Sequence, residues 1–152
     1  MTRVLFVCTG NTCRSPMAEG LLRREVERNG ITGVEVASAG TGAWDGAPIS
    51  EGAYLVGLEQ GVDLSNHRAQ LLTREHVDQA DVILTMSRPH LARVRELGGG
   101  GRAHLVGEYV GLTGPDAEVE DPFGADLEEY RETFRVLERL MPAVVGRLAG
   151  AG

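Results

Sequence analysis

Val4-Leu5-Phe6-Val7 is a short, unbroken apolar run of strand-forming character, and it stops at Cys8-Thr9-Gly10-Asn11-Thr12-Cys13-Arg14-Ser15-Pro16. A strand without polar alternation has both faces buried, as in a parallel sheet clad by helices on each side. Ser15-Pro16 then reads as a helix start, with the hydroxyl at the cap and proline at the first helical position. Met17, Leu21, Leu22 and Val26 recur at helical spacing until Asn29-Gly30 ends the pattern. This order of strand, glycine-containing loop and helix confines the chain to the α/β class.

The remainder repeats the alternation. Val34 to Ser38 is a second strand, Ala39 to Pro48 a loop with Trp44 among its glycines, and Ile49 to Gln60 a helix stopped by Gly61. Thr73 caps a short helix leading to Ala80-Asp81, and Val82 to Met86 is the third strand. Ser87 caps a helix with Leu91 and Val94 inward, which dissolves in Gly98 to Gly101, read as a loose surface turn. Ala103 to Val106 is the fourth strand, followed by a polar loop from Gly107 to Phe123. The last helix begins near Ala125-Asp126 and turns Leu127, Tyr130, Phe134, Leu137, Leu140, Met141 and Val144 inward. Pro142 lies inside that pattern and is expected to end or kink it. No repeat or composition break divides the chain, so one domain over residues 1–152 is expected.

Composition excludes several functions. A net charge of −7 argues against a nucleic-acid partner, which would require a basic stripe. No apolar run approaches the ~20 residues that span a bilayer, and the N-terminal stretch is too short for a signal peptide. A cytoplasmic location with reduced thiols, and no membrane partner, is therefore expected. All 15 residues in the Lys+Arg count are arginine, which excludes Schiff-base chemistry and the nucleotide loop ending in Lys-Ser/Thr. Cys8 and Cys13 do not have zinc spacing, and His67, His76, His90 and His104 are scattered without metal-ligand spacing. Neither metal nor cofactor is expected, and packing is the default role of each histidine. Only the His67 segment is a candidate to buttress the loop after the first strand.

That loop carries the chemistry. In open α/β sheets ligands bind where strands end and helices begin. Gly10 and Asn11 tolerate positive φ, so the loop amides can curl into a nest of donors, and the following helix adds its positive end. Arg14 adds a planar fork suited to two phosphate oxygens. Such surroundings favour an oxyanion and are expected to lower the Cys8 pKa, giving a thiolate aimed at phosphorus.

Cys8 to Ser15 fits C-x5-R-S, and with Pro16-Met17-Ala18-Glu19 it closely resembles the low-molecular-weight protein phosphatases. Ser38-Ala39-Gly40, Ala80-Asp81, Met86 and Asp121-Pro122-Phe123 extend the resemblance over nearly the whole chain. It implies a three-layer fold: a four-stranded parallel sheet with flavodoxin-like winding and helices on both faces. It also implies roles. Cys8 is the nucleophile that forms a phosphocysteine, Arg14 binds the equatorial oxygens, and Asp121 is general acid and then base. Thr9, Gly10, Asn11, Thr12, Cys13 and Ser15 complete the phosphate loop, with Asn11 holding its strained shape and Ser15 bonding the thiolate. Phosphorylated proteins are the implied partners, and a monomer is expected.

Thr12, Trp44 and Phe123 are the candidate substrate walls. Thr12 stands where phosphotyrosine-specific members usually carry a branched apolar residue. Together with Asp121-Pro122-Phe123-Gly124, Asn66-His67 and Glu108-Tyr109-Val110, it resembles the protein arginine phosphatases of the family. Trp44 pulls toward phosphotyrosine, although an indole face stacks on a phenyl ring or a guanidinium alike. Phosphoarginine is the favoured substrate and phosphotyrosine the alternative. The resemblance further suggests that Cys13 forms a reversible disulfide with Cys8, packing behind the loop being the other role open to it. An arsenate reductase needs cysteines beyond Cys13, which are lacking, and a non-catalytic phosphate-binding module would not need both Cys8 and Asp121.

Overall fold

The computed structural model describes residues 1–151, and its parallel sheet has the strand order β2-β1-β3-β4. The strands are β1 (Thr2–Cys8), β2 (Val34–Gly40), β3 (Val82–Thr85) and β4 (Ala103–Leu105). The helices are α1 (Arg14–Arg28), α2 (Glu51–Glu59), α3 (Arg74–Gln79), α4 (Arg88–Glu96), α5 (Val106–Tyr109) and α6 (Leu127–Ala151). The chain leaves β1 for β2 on one side and returns to β3 on the other, which makes the carboxyl end of β1 the crevice of a doubly wound sheet.

Side chains of β1 alternate between two apolar layers. Val4, Phe6 and Cys8 join α1, α2 and α6 on one face, while Leu5 and Val7 join α3 and α4 on the other. Phe6, Met17, Leu22, Phe134, Leu137 and Met141 are among the largest side chains fully withdrawn from water. Truncating one such leucine to alanine costs about 2–5 kcal/mol. α1 ends as Asn29-Gly30 anticipates: Gly30 takes φ +63°, its amide bonds the Glu27 carbonyl, and the Ile31 amide bonds the Val26 carbonyl.

Several local expectations are corrected. α1 starts one residue before Ser15, with Cys13 at its N-cap, because the Ser15 hydroxyl is engaged by Cys8 and Asn11. Pro16 still falls in the first turn, where its missing N–H costs nothing. α2 is shorter than Ile49 to Gln60, since Ser50 at its N-cap is drawn back to the Thr12 carbonyl. Met86 and Val106 lie just outside β3 and β4. The segment Gly107 to Phe123 is not a featureless loop: α5 opens it, and a 3₁₀ turn follows at Gly114–Ala117. The close packing of Gly107 on Ala117, 2.4 Å from an added Cβ to Ala117 Cα, folds it back on itself.

α6 runs through Pro142 to Ala151 without ending there. Pro142 is on the exposed side, while Met141, Val144 and Val145 stay buried, so tertiary packing overrides the proline penalty. The glycine run is ordered rather than loose. Gly99 is buried against Val94, 2.5 Å from an added Cβ to Val94 Cγ1, and Arg102 bonds the carbonyls of Val77, Ala80 and Gly98.

Candidate active site

Cys8, the last residue of β1, places its Sγ 2.8 Å from Ser15 Oγ. Asn11 fixes the direction of that bond. Its Oδ1 accepts the Gln70 amide at 2.9 Å, so Nδ2 faces Ser15 Oγ and Ser38 Oγ, each at 2.9 Å. Ser15 Oγ is thus already an acceptor, and its hydrogen is left for Cys8. Ser38 passes its own hydrogen to Glu19 Oε1 at 2.6 Å. Asn11 itself has φ +55°, a left-handed conformation that asparagine tolerates better than most residues.

The loop is gripped from outside as well. His67 Nε2 lies 2.6 Å from the Asn11 carbonyl oxygen, so the ring donates, and the His67 segment buttresses the loop as its sequence position suggests. Ser50 bonds the Thr12 carbonyl through both its amide (3.0 Å) and its hydroxyl (2.9 Å). His90 Nε2 is 2.8 Å from Thr9 Oγ1, a contact that sequence reasoning missed because residue type and spacing alone gave His90 no partner. With the loop so held, the amides of Gly10, Thr12, Cys13 and Arg14 have no acceptor among the described residues. Unpaired amides on one turn at a helix N-terminus make an anion-binding concavity.

Arg14 is 5% exposed, and its Nη1 donates to the Val119 carbonyl at 3.0 Å while Nη2 stands 3.5 Å from Asp121 Oδ2. Its Nε is buried with no partner among the described residues. Orphaned buried donors are rare because they cost about 1–3 kcal/mol. Asp121 is half-exposed, with Oδ1 accepting the Phe123 amide at 3.0 Å. Cys8, Thr9, Gly10, Thr12, Cys13, Arg14, Asp121 and Phe123 line one cavity of about 170 Å³. A larger groove of about 870 Å³ is lined by the amino-terminal parts of β1 and β2, and Cys8 is not among its lining residues.

Trp44 is 83% exposed on the loop after β2 and is not among the residues lining the small cavity. Phe123, 73% exposed, stands at its rim. Cys13 is a free thiol facing Ser50 Oγ (3.3 Å) and the Tyr130 hydroxyl (3.5 Å), and Cys8 is also free. Burial pushes the Tyr130 hydroxyl up to about 12, so it stays protonated. The expectation of a lowered Cys8 pKa is corrected: burial pushes the thiol up and outweighs the pull of Ser15, Arg14 and the Asn11 amide. The same enclosure that makes the loop's donors strong also removes water from the sulfur.

The sequence profile described as "Low molecular weight phosphotyrosine protein phosphatase" matches residues 3–150. The chain belongs to this family. A protein-arginine-phosphatase of Geobacillus stearothermophilus is 38% identical over 146 residues, covering 96% of this chain and 95% of the relative. Low molecular weight protein-tyrosine phosphatase A of Mycobacterium tuberculosis is 37% identical over 145 residues, covering 93% and 88%. Among solved structures, a cysteine-to-serine mutant of the YwlE arginine phosphatase with a phosphorylated active-site serine superposes with TM-score 0.88. It is 34% identical and covers 97% of this chain and 96% of its own. This family member is therefore a hydrolase of the protein phosphatase class, with the four-stranded parallel architecture of its relatives.

Proposed function

We propose that the chain hydrolyses phosphorylated side chains of cytoplasmic proteins, as a monomer, through a phosphocysteine on Cys8, with phosphoarginine the preferred substrate. The observation that carries this reading is one small cavity lined by Cys8 together with residues that carry unpaired donors, the Arg14 Nε and the loop amides. Two kinds of unpaired donor on the lining of one small cavity suit the equatorial oxygens of a phosphoryl group in its transition state.

The roles follow from position. The Cys8 proton passes to an oxygen of the arriving phosphoryl group as the sulfur becomes the nucleophile, Ser15 stabilising the negative sulfur through its directed hydrogen. The sulfur attacks phosphorus and forms an S–P bond while the bond from phosphorus to the leaving atom breaks. Asp121, held at the rim by the Phe123 amide, gives its proton to the leaving group. Its carboxylate then takes a proton from water, which attacks phosphorus and breaks the S–P bond, releasing inorganic phosphate and the Cys8 thiolate. The phosphorylated serine at the active site of the YwlE mutant supports a covalent phosphoenzyme in this family. Cys13, a buried thiol of the loop that lines the same cavity as Cys8, is a candidate resolving thiol for oxidised Cys8.

Thr12 supports the substrate preference. It lines the cavity, and its hydroxyl has only a 3.8 Å contact with Cys13 Sγ, which leaves it available to a guanidinium. The arginine phosphatase relative agrees. Phosphotyrosine is the second reading, favoured by the exposed rings of Trp44 and Phe123 and by the tyrosine phosphatase relative. Hydrolysis of matched phosphoarginine and phosphotyrosine peptides decides between them. The wild type is expected to favour phosphoarginine, Thr12→Ile to shift the ratio toward phosphotyrosine by roughly tenfold or more, and Cys8→Ser to be inert. An unmoved ratio in Thr12→Ile removes the argument from that wall, and an active Cys8→Ser removes the mechanism.

A further inference from the structure

His90 is a buried polar side chain, 3% exposed, that the chemistry above leaves unused. It sits in the first turn of α4 and bridges that helix end to the phosphate loop. Nδ1 is 3.2 Å from the Ser87 amide and 2.9 Å from Ser87 Oγ, while Nε2 is 2.8 Å from Thr9 Oγ1. An amide only donates, so Nδ1 is the acceptor and the ring proton of the neutral imidazole is on Nε2. Nε2–H therefore donates to Thr9 Oγ1. The Thr9 hydroxyl proton is left free, on a residue that lines the cavity beside Cys8, Thr12 and Asp121.

The molecule contains its own control. Thr73-x-x-His76 opens α3 as Ser87-x-x-His90 opens α4, each histidine accepting from the amide three residues before it. His76 stops there and caps its helix at the surface. His90 is buried, and its far nitrogen continues to the loop. Capping alone explains the acceptor atom of His90 and not its burial or its second bond.

We propose that His90 is a positioning residue of the phosphatase reaction. By donating to Thr9 it fixes the residue that follows Cys8 and aims the Thr9 hydroxyl proton at an oxygen of the bound substrate. The inference rests on the phosphatase reading. It pairs with the grip of His67 on Asn11, so that the two ends of the loop's tight turn are each held by an imidazole N–H.

Four variants test it with p-nitrophenyl phosphate turnover, inhibition by inorganic phosphate and thermal unfolding. His90→Asn keeps an acceptor near the Nδ1 position and is too short to reach Thr9. His90→Gln satisfies the cap as in a Ser-x-x-Gln box and keeps a donor for Thr9. Thr9→Val removes the hydroxyl, and His76→Asn perturbs only the surface cap. His90→Asn and Thr9→Val are each expected to lower kcat/KM and phosphate affinity roughly tenfold, and their combination to lower them no further. His90→Gln is expected to stay within about threefold of wild type and His76→Asn to leave both readouts unchanged. Losses that multiply in the double variant, or His90→Gln no better than His90→Asn, overturn the proposal. Wild-type protein inert toward p-nitrophenyl phosphate removes the phosphatase reading instead, and phosphate binding by the same variants still reports on the link from His90 to Thr9.

Discussion

Asn11 shows how much of the site one side chain organises. It bends the loop at φ +55° and fills all three of its side-chain bonding positions used here, with Ser15, Ser38 and Gln70. Its conformation and its amide have separable effects. Asn11→Gly relieves the left-handed backbone and loses the amide, while Asn11→Ala loses both advantages at a further cost of about 1 kcal/mol. Both variants are expected to lose more than tenfold in kcat, since nothing then turns the Ser15 hydrogen toward Cys8, and Asn11→Ala is expected to melt lower. Steady-state assays with thermal melts check this; a Gly variant of wild-type activity would show that only the bend matters. The C-x5-R-S spacing exposes Cys8, Arg14 and Ser15 to a reader of the sequence. The polarity that makes Ser15 a donor was not legible, because it comes from Gln70, 59 residues beyond Asn11.

At the scale of elements, the strands and long helices were readable because their apolar runs have one period each. Errors gathered where long-range packing outweighs local signal. Pro142 is carried inside α6 by buried Met141 and Val144, and Gly99 is held by Val94. The junction of β2 with the loop is a further case. Gly40 pairs with Cys8 in the sheet register, and an added Cβ would lie 2.4 Å from the Thr9 carbonyl oxygen and 2.9 Å from the Asn11 amide nitrogen. Neither neighbour is a flexible side-chain end, so backbone must move. Gly40→Ala is expected to lower stability by about 1–3 kcal/mol and, because the displaced atoms belong to the phosphate loop, to lower kcat more than the stability loss explains. Denaturant unfolding beside turnover at a temperature where both proteins are folded checks it. Full activity in Gly40→Ala would mean that the loop absorbs the methyl without losing its shape.

For the whole molecule, His90 couples the site to the stability of the fold. Burial first, then Arg14, hold its pKa down at about 4 against the opposing influence of Asp121 and Glu118, whereas an unfolded histidine titrates near its ordinary 6.5. The sign follows from proton counts. Between pH 6.5 and 4 the unfolded chain binds a proton at this residue that the folded chain refuses, so stability rises with pH across that window. The contribution is complete above pH 6.5 and is lost progressively as pH falls toward 4, reaching about 2–3 kcal/mol by pH 4.5. Carboxylates add their own acid dependence, so the contrast between proteins isolates the histidine. His90→Gln cannot titrate and keeps the cap, and its urea stability is expected to fall less than that of the wild type between pH 7 and pH 4.5, by that amount. Parallel profiles would show that the buried imidazole finds a proton as readily folded as unfolded. A steeper wild-type profile would mean that acid loosens the fold through the residue that holds Thr9 beside the nucleophile, so that activity and stability fail together.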